Sequence, residues 1–389
     1  MPDDPSAEPL QTIDRQILEL IGDRCRTLAR LNADESTAAD WATQKRAIDG
    51  VIESLSAPDP SIDLATQGDI LRHIASACQR AVRPDSVSFL GPLDTYSHLA
   101  AIAFFGDAAP FVPVASIAAV FESVQRDECR YGIVPIQNST DGRVVDTLGR
   151  LLDSQAVPPQ QRLHVVGEIL VQIRHHLSAA PGTRLTDLTE VHSKPQAISQ
   201  CRTWLADHLP AVRLVEAAST TAAAEHAART PGVAAIASLQ AARRYGLDVL
   251  QDSIEDQRDN VTRFAVLGKT ISAATGTDKT TLMFQVDHRP GALADVMGIF
   301  KRNALNLTWI ESFPQPGSPD EYFFIVEFPG HQQEAAVATA IAELGSQTRT
   351  LLPSKLVHKE FYFLGLENII GQHKYFGDPA IYRRSPKVR

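Results

Sequence analysis

Between residues 86 and 267, short apolar β-type runs alternate with helix-forming stretches, and this alternation limits the possible folds more than any other feature of the chain. The β-type runs fall at 86–90, 111–115, 131–136, 189–192, 213–217, 233–237 and 261–267. Helices are predicted from about residue 97, over 118–126, over 144–152, over 222–229 and after the other internal runs. Strands followed by helices must cross over before pairing again, which implies parallel sheets. The extended run 164–173 can pass from one group of strands to the other. Two groups joined in this way predict a two-lobed α/β unit with a cleft between its lobes.

Four of the strand-to-helix turns are rich in Ser, Thr and Asn. Thr95 precedes a helix at Tyr96, and Asn138, Ser139 and Thr140, with Gly142, precede one from Arg143. Ser193 stands three residues before Gln196, with Pro195 in the first turn, which is capping-box spacing. Ser219, Thr220 and Thr221 precede the helix over 222–229. In open α/β sheets such turns lie at the carboxyl ends of strands, where ligands bind, and each helix start offers free N–H groups to an anion.

The last strand opens on Asp259-Asn260-Val261-Thr262-Arg263-Phe264. Thr262 and Arg263 point to opposite faces, so both reach one ligand only off a strand end or at a sheet edge. The Thr hydroxyl donates or accepts, and the Arg fork grips a carboxylate. The same residues also suit an ordinary strand start with a capped Thr and a surface Arg.

The flanks differ in pattern. Ile13, Ile17, Leu20, Ile21, Leu28 and Leu31 recur at helical spacing, with Arg24 on the same face; it either snorkels to water or faces inward as an anion ligand. Two more amphipathic stretches, 44–55 and 68–82, complete an all-α unit over residues 1–84. Pro84-Asp85 marks a boundary, residues 85–270 form the two-lobed unit, and a Thr/Ala/Gly-rich linker leads to a βαββαβ pattern over 279–366. Its strands are predicted at 281–286, 305–311, 322–328 and 355–363, its helices at 292–302 and 333–344, and a basic tail covers 367–389. The net charge is -9 with no basic cluster, which argues against a nucleic-acid partner. No apolar run of about 18 residues predicts a membrane span. Cys25, Cys78, Cys129 and Cys201 lie far apart, without metal-ligand spacing, and read as reduced thiols. An acidic, Pro-rich start without a signal pattern fits a cytoplasmic protein, and no cofactor or metal is expected.

Asn260-Val261-Thr262-Arg263-Phe264 resembles the signature of the prephenate dehydratase family. Three more motifs agree with it in order: Gly91-Pro92 with Thr95-Tyr96-Ser97-His98-Leu99-Ala100-Ala101, Tyr131-Gly132-Ile133-Val134-Pro135-Ile136-Gln137-Asn138-Ser139-Thr140, and Val191-His192-Ser193-Lys194-Pro195-Gln196-Ala197. The resemblance implies a fold like that of periplasmic binding proteins and conversion of prephenate to phenylpyruvate, carbon dioxide and water in phenylalanine biosynthesis. It implies that Thr262 protonates the leaving hydroxyl, that Arg263 binds a carboxylate and that Phe264 packs beneath. Thr95, Ser97, Asn138, Ser139, Thr140, Ser193, Gln196 and Thr220 would line the pocket. The chain departs from the family's pattern at Asp94 (Gly), Gln137 (Glu) and Lys194 (His). An arogenate-preferring dehydratase and a non-catalytic carboxylate-binding sensor remain alternatives.

The helical unit resembles the chorismate mutase domain of bifunctional enzymes in Ile13-Asp14-Arg15-Gln16-Ile17-Leu18-Glu19-Leu20-Ile21, Arg24 and Ile70-Leu71-Arg72-His73-Ile74-Ala75-Ser76-Ala77-Cys78. Only Arg24 remains of that family's cations; Ala7 and Glu35 stand where an Arg and a Lys are usual. Mutase activity and dimerisation are both open as its role. The βαββαβ unit resembles the ACT domain, which implies a phenylalanine effector site at Gly291, Ala292 and Leu293 and at Glu311 and Ser312. Phe313 replaces the usual Arg there. A homodimer or homotetramer follows from the same resemblance.

Overall fold

In a computed structural model, the described residues are 8–33, 41–54, 62–154, 157–158, 161–270, 274, 276, 278–315, 318–348 and 350–356. The basic tail, Ala7, Glu35 and the predicted strand beyond residue 356 lie outside them. Three helices open the chain: α1 (Glu8–Asn32), α2 (Trp41–Ser54) and α3 (Leu64–Val82). Each begins a few residues ahead of the amphipathic stretch that predicts it; α3 starts where the Asp63 side chain caps it by accepting from Thr66 N. Both α1 and α2 pack on α3, and α2 and α3 dock on the first lobe. There the Trp41 indole donates to the Phe104 carbonyl, and Ser76 Oγ accepts from Ala108 N at 3.1 Å. Cys25 and Cys78, distant in sequence, are neighbours across α1 and α3; burial and then Cys78 push the Cys25 thiol up to about 11.

The first lobe is a six-stranded sheet. Its order is β2 (Phe111–Val114), β1 (Val87–Leu90), β3 (Tyr131–Asn138), β11 (Val261–Gly268) and β5 (His164–Gln172), with β4 (Gly142–Arg143) hairpinned onto β3. The second lobe is a five-stranded sheet in the order β10 (Asp248–Gln251), β6 (His176–Ala179), β9 (Val233–Ala237), β7 (Glu190–Ser193) and β8 (Arg213–Glu216).

These sheets are mixed, which corrects the expectation of parallel ones. β1 runs parallel to β2 and β3, and β7 parallel to β8 and β9. β11 is antiparallel to both β3 and β5, and β6 to both β9 and β10. The reason is the path of the chain. It leaves the first lobe through β5, enters the second as β6, and returns from β10 to β11. A returning strand that lies beside its outgoing neighbour must run against it. The strands β4, β6 and β10 are not among the runs expected from sequence; β4, with two residues, is too short to show a period.

The lobe helices are α4 (Tyr96–Phe105), α5 (Ile117–Gln125), α6 (Val145–Asp153), α7 (Pro195–Gln200), α8 (Arg202–His208), α9 (Thr220–Ala227) and α10 (Leu239–Arg244). Thr95 caps α4 and Ser219 caps α9, as the turns predict. The other two turns differ. Lys194, not Ser193, is the N-cap of α7, because the Ser193 hydroxyl is turned inward to the Ile236 carbonyl at 2.6 Å. No helix starts at Arg143; Asn138 closes a hairpin turn, and α6 begins at Val145.

The last unit has the predicted order: β12 (Lys279–Gln285), α11 (Ala292–Arg302), β13 (Trp309–Gln315), β14 (Ser318–Pro329), α12 (Ala335–Gln347) and β15 (Thr350–Leu356). Its antiparallel sheet runs β13-β14-β12-β15. β13 starts later and β15 earlier than predicted, both being placed by pairing with distant strands. Leu282, Phe284, Val326 and Phe328 pack on the two helices. The opposite face lies on the first lobe, where Met283 and Ile325 share a core with Val134, Ile136, Ala265 and Leu267.

Candidate active site

β11 is central to the first lobe, so its two faces have different neighbours. Phe264 and Val266 join the core of Phe89, Phe104, Ile169 and Val171. Arg263, Ala265 and Leu267 face the C-terminal sheet. Thr262 shares the Phe264 face at the strand's first turn, opposite Asn138 of β3. The β3–β11 register slips between Arg263 and Phe264, where β11 meets Pro135. A proline has no N–H for the ladder, and such bulges re-aim nearby side chains.

Asn138 organises this corner. Its Nδ2 donates to Thr262 Oγ1 at 2.8 Å and to Asn260 Oδ1 at 2.8 Å. Its Oδ1 accepts from the N–H groups of Thr140 at 2.9 Å and Asp141 at 3.0 Å. Ser139 Oγ accepts from Val261 N at 2.9 Å, stitching the turn to β11. Asn138, Asn260 and Thr262 are all buried. Thr262 Oγ1 accepts an N–H, and among the described residues its own proton has no acceptor. A hydroxyl that accepts one hydrogen bond keeps its own proton for a second partner.

Contacts between the lobes begin at the same turn. Asp141 accepts from Gln200 Nε2 at 2.9 Å and from Gln196 Nε2, both on α7. Thr140 Oγ1 reaches Gln257 Oε1 at 3.4 Å. On another side Asp94, with φ of 62°, pairs with Arg244 of α10 at 2.9 Å, and its carbonyl accepts from Ser238 Oγ at 3.2 Å. The left-handed backbone explains why a Gly suits position 94; Asp tolerates it better than most residues. The two crossover segments are tied by Glu255, which accepts from Arg174 Nη1 and from His175 N, each at 2.9 Å. His175 Nε2 lies 2.9 Å from Gln200 Oε1, and burial holds the imidazole below its ordinary value.

Thus Asn138, Ser139, Thr140 and Thr262 come together directly, with Gln196 joined through Asp141. Thr95 and Ser97 open α4 beside the Asp94–Arg244 contact, and the buried Ser97 hydroxyl makes no hydrogen bond among the described residues. Thr220 begins α9 in the second lobe, buried. Ser193 is drawn away into its own sheet. Arg263 is also drawn away. Its Nε and Nη2 hold Glu168 at 2.7 and 3.0 Å, and Nη2 holds Glu327 of β14 at 2.9 Å. Burial opposes the charge, but Glu327 and Glu168 outweigh it and push the guanidinium further up. The sequence reading missed Asp141, Gln200, Ser238, Arg244 and Glu255. Only Asp141, directly after Asn138-Ser139-Thr140, carried a local signal.

Elsewhere, Gly291 has φ of 83° and is the N-cap of α11, followed by Ala292 and Leu293. Glu311 and Ser312 on β13 meet Arg143 of the first lobe, through a carboxylate and a carbonyl. Arg24 on α1 is half-buried, and its Nη1 has no partner among the described residues. Among these residues no helix is long and apolar enough to cross a membrane.

Two α/β lobes joined by two crossovers, with polar turns meeting between them, define the class of two-lobed proteins that bind small ligands in an interlobe cleft. The family described as prephenate dehydratase matches residues 87–272. A bifunctional chorismate mutase/prephenate dehydratase from Pseudomonas aeruginosa is 32% identical over 348 residues, covering 88% of this chain and 93% of that one. One from Aquifex aeolicus is 38% identical over 282 residues, covering 72% and 76%. A solved prephenate dehydratase from Arthrobacter aurescens, in complex with L-Phe, matches with a TM-score of 0.63 at 32% identity, covering 70% and 90%. The chain belongs to the prephenate dehydratase family.

Proposed function

We propose that this chain converts prephenate to phenylpyruvate in the cleft, with Thr262 as the proton donor. The observation that carries the reading is the Asn138 amide donating to Thr262 Oγ1 at 2.8 Å, which leaves the hydroxyl proton free for a substrate oxygen. As the ring carboxylate of prephenate leaves as carbon dioxide, the electrons of its bond close the aromatic ring and expel the hydroxyl at the opposite carbon. That hydroxyl departs as water with the Thr262 proton, in a concerted step. The Asn138 N–H then faces the developing charge on Oγ1. The α4 N-terminus and exposed Lys194 at the start of α7 would meet the two carboxylates.

The C-terminal unit would act as an ACT domain with phenylalanine as effector, near Gly291–Leu293 and Glu311–Ser312. Its βαββαβ order and the left-handed Gly291 support this. The exposed Leu10, Ile13, Ile17, Leu18 and Leu20 on α1 support a homodimer through the helical unit. The unpartnered Arg24 Nη1 is what favours an anion site, and hence mutase activity, in that unit.

The test is to feed the full chain prephenate and chorismate separately and follow phenylpyruvate. Product from prephenate alone supports the dehydratase with a silent helical unit, and product from both adds the mutase. No product from either sinks the catalytic reading in favour of a carboxylate sensor. Competition with arogenate decides between the two cyclohexadiene substrates.

A further inference from the structure

We infer that the C-terminal domain is a working part of the dehydratase site, acting through two arginines that position the Asn138–Thr262 pair and do not touch substrate. This rests on the proposed activity for its catalytic consequence, but not for its mechanical one.

The first arginine is Arg263, adjacent to Thr262 on the opposite face of β11. Its guanidinium is held by Glu168 and Glu327, and Nη1 reaches Gln137 Oε1 at 3.2 Å. Lys279 Nζ lies 3.2 Å from Glu168 and 3.7 Å from Glu327. Thr281 Oγ1 donates to Glu327 at 3.2 Å, and the Trp309 ring lies 5.7 Å from the Arg263 guanidinium carbon. The Glu168 and Glu327 side chains are only 4% and 2% exposed. Two cations thus balance two carboxylates in a dry setting. Such a cluster has few alternative geometries, because any shift leaves a buried charge short of a partner. Two of its members, Glu327 and Lys279, belong to the C-terminal sheet.

The second arginine is Arg143 on β4. It pairs in register with Gln137, next to the Asn138–Gly142 pair. Its Nη1 contacts the Glu311 carboxylate and donates to the Ser312 carbonyl at 3.1 Å. Glu311 lies on β13 and Glu327 on β14, two neighbouring antiparallel strands of one sheet. Each half of the Asn138–Thr262 hydrogen bond is therefore anchored, within a residue or two, to a glutamate on the same small sheet. Sliding or twisting β13 against β14 would move the two halves relative to each other. Misplacement of a catalytic group by about 1 Å costs on the order of a hundredfold in rate.

The test combines kinetics with hydrogen exchange on the full chain. Glu327→Gln keeps the side-chain volume, and Glu327→Gln with Lys279→Met also restores a neutral cluster, so that at least one variant folds. Both are expected to lose kcat about tenfold with KM within about twofold, the signature of positioning rather than binding. Amide exchange should rise in segments 136–143 and 261–268 and stay unchanged in β7 and β9. If Arg263 instead grips substrate, releasing it from Glu327 lowers KM without loss of kcat, and Arg263→Lys raises KM alone; either result overturns the inference. Unchanged exchange at 261–268 overturns it whatever the turnover. A chain that cannot turn over prephenate, yet shows the exchange response, loses only the dehydratase reading.

Discussion

Asn138→Asp tests the proton-donor geometry more sharply than deletion of the hydroxyl. Asn138 makes two hydrogen bonds as acceptor, from Thr140 N and Asp141 N, and two as donor, to Asn260 and Thr262. The substitution keeps the acceptor oxygen, so the turn and its Asp141 contact to α7 survive. It replaces the donor with a second carboxylate oxygen. Asn260 can turn its amide over and donate, but Thr262 can respond only by giving up its own proton. The hydroxyl then points away from substrate and loses the N–H that stabilises its developing charge. A general acid is worth about 10²–10⁴ in rate, or roughly 2.7–5.5 kcal/mol of barrier. The expected result at saturating prephenate is a kcat loss in that range, with KM within about threefold. The buried carboxylate gains donors on every side, so the fold should lose only about 1–3 kcal/mol. Phenylpyruvate formation and a thermal melt on the same sample separate the two effects. A variant that melts lower but keeps kcat within a factor of about three would refute the assignment of Thr262 as the donor.

Three further outcomes follow from the geometry. Lys279→Met leaves two buried carboxylates sharing Arg263, and should destabilise the chain by about 3 kcal/mol in denaturant titration, with less than 1 kcal/mol counting against a buried cluster. Asp94→Asn keeps a residue that tolerates the left-handed backbone but removes the ion pair to the half-exposed Arg244; KM for prephenate should rise about threefold with kcat unchanged. Burial depresses both His175 and His98, the latter against the pull of Asp94. The unfolded chain therefore takes up protons near pH 6.5 that the folded chain resists. Stability present above that value should fall as pH drops through it, by up to about 1.4 kcal/mol per unit per histidine. A melting temperature that stays flat between pH 7.5 and 5.5 would contradict this.

The sequence by itself determined the motifs and most of the elements, though not the strands β4, β6 and β10. It could do so because apolar spacing, capping residues and turn residues are local properties of neighbouring side chains. It also fixed that Thr262 and Arg263 face opposite ways, since a strand alternates whatever surrounds it. What lies on each face was decided only in three dimensions. Thr262 meets Asn138 across 124 residues, and Arg263 meets Glu327 across 64. Ser193 looked like a cap, but its hydroxyl turned to Ile236 because the parallel pairing of β7 with β9 brought that carbonyl near. Arg263 looked like a ligand for a substrate carboxylate. A fork of N–H groups binds any carboxylate within reach, and once the C-terminal sheet packed on the first lobe, those within reach were Glu168 and Glu327.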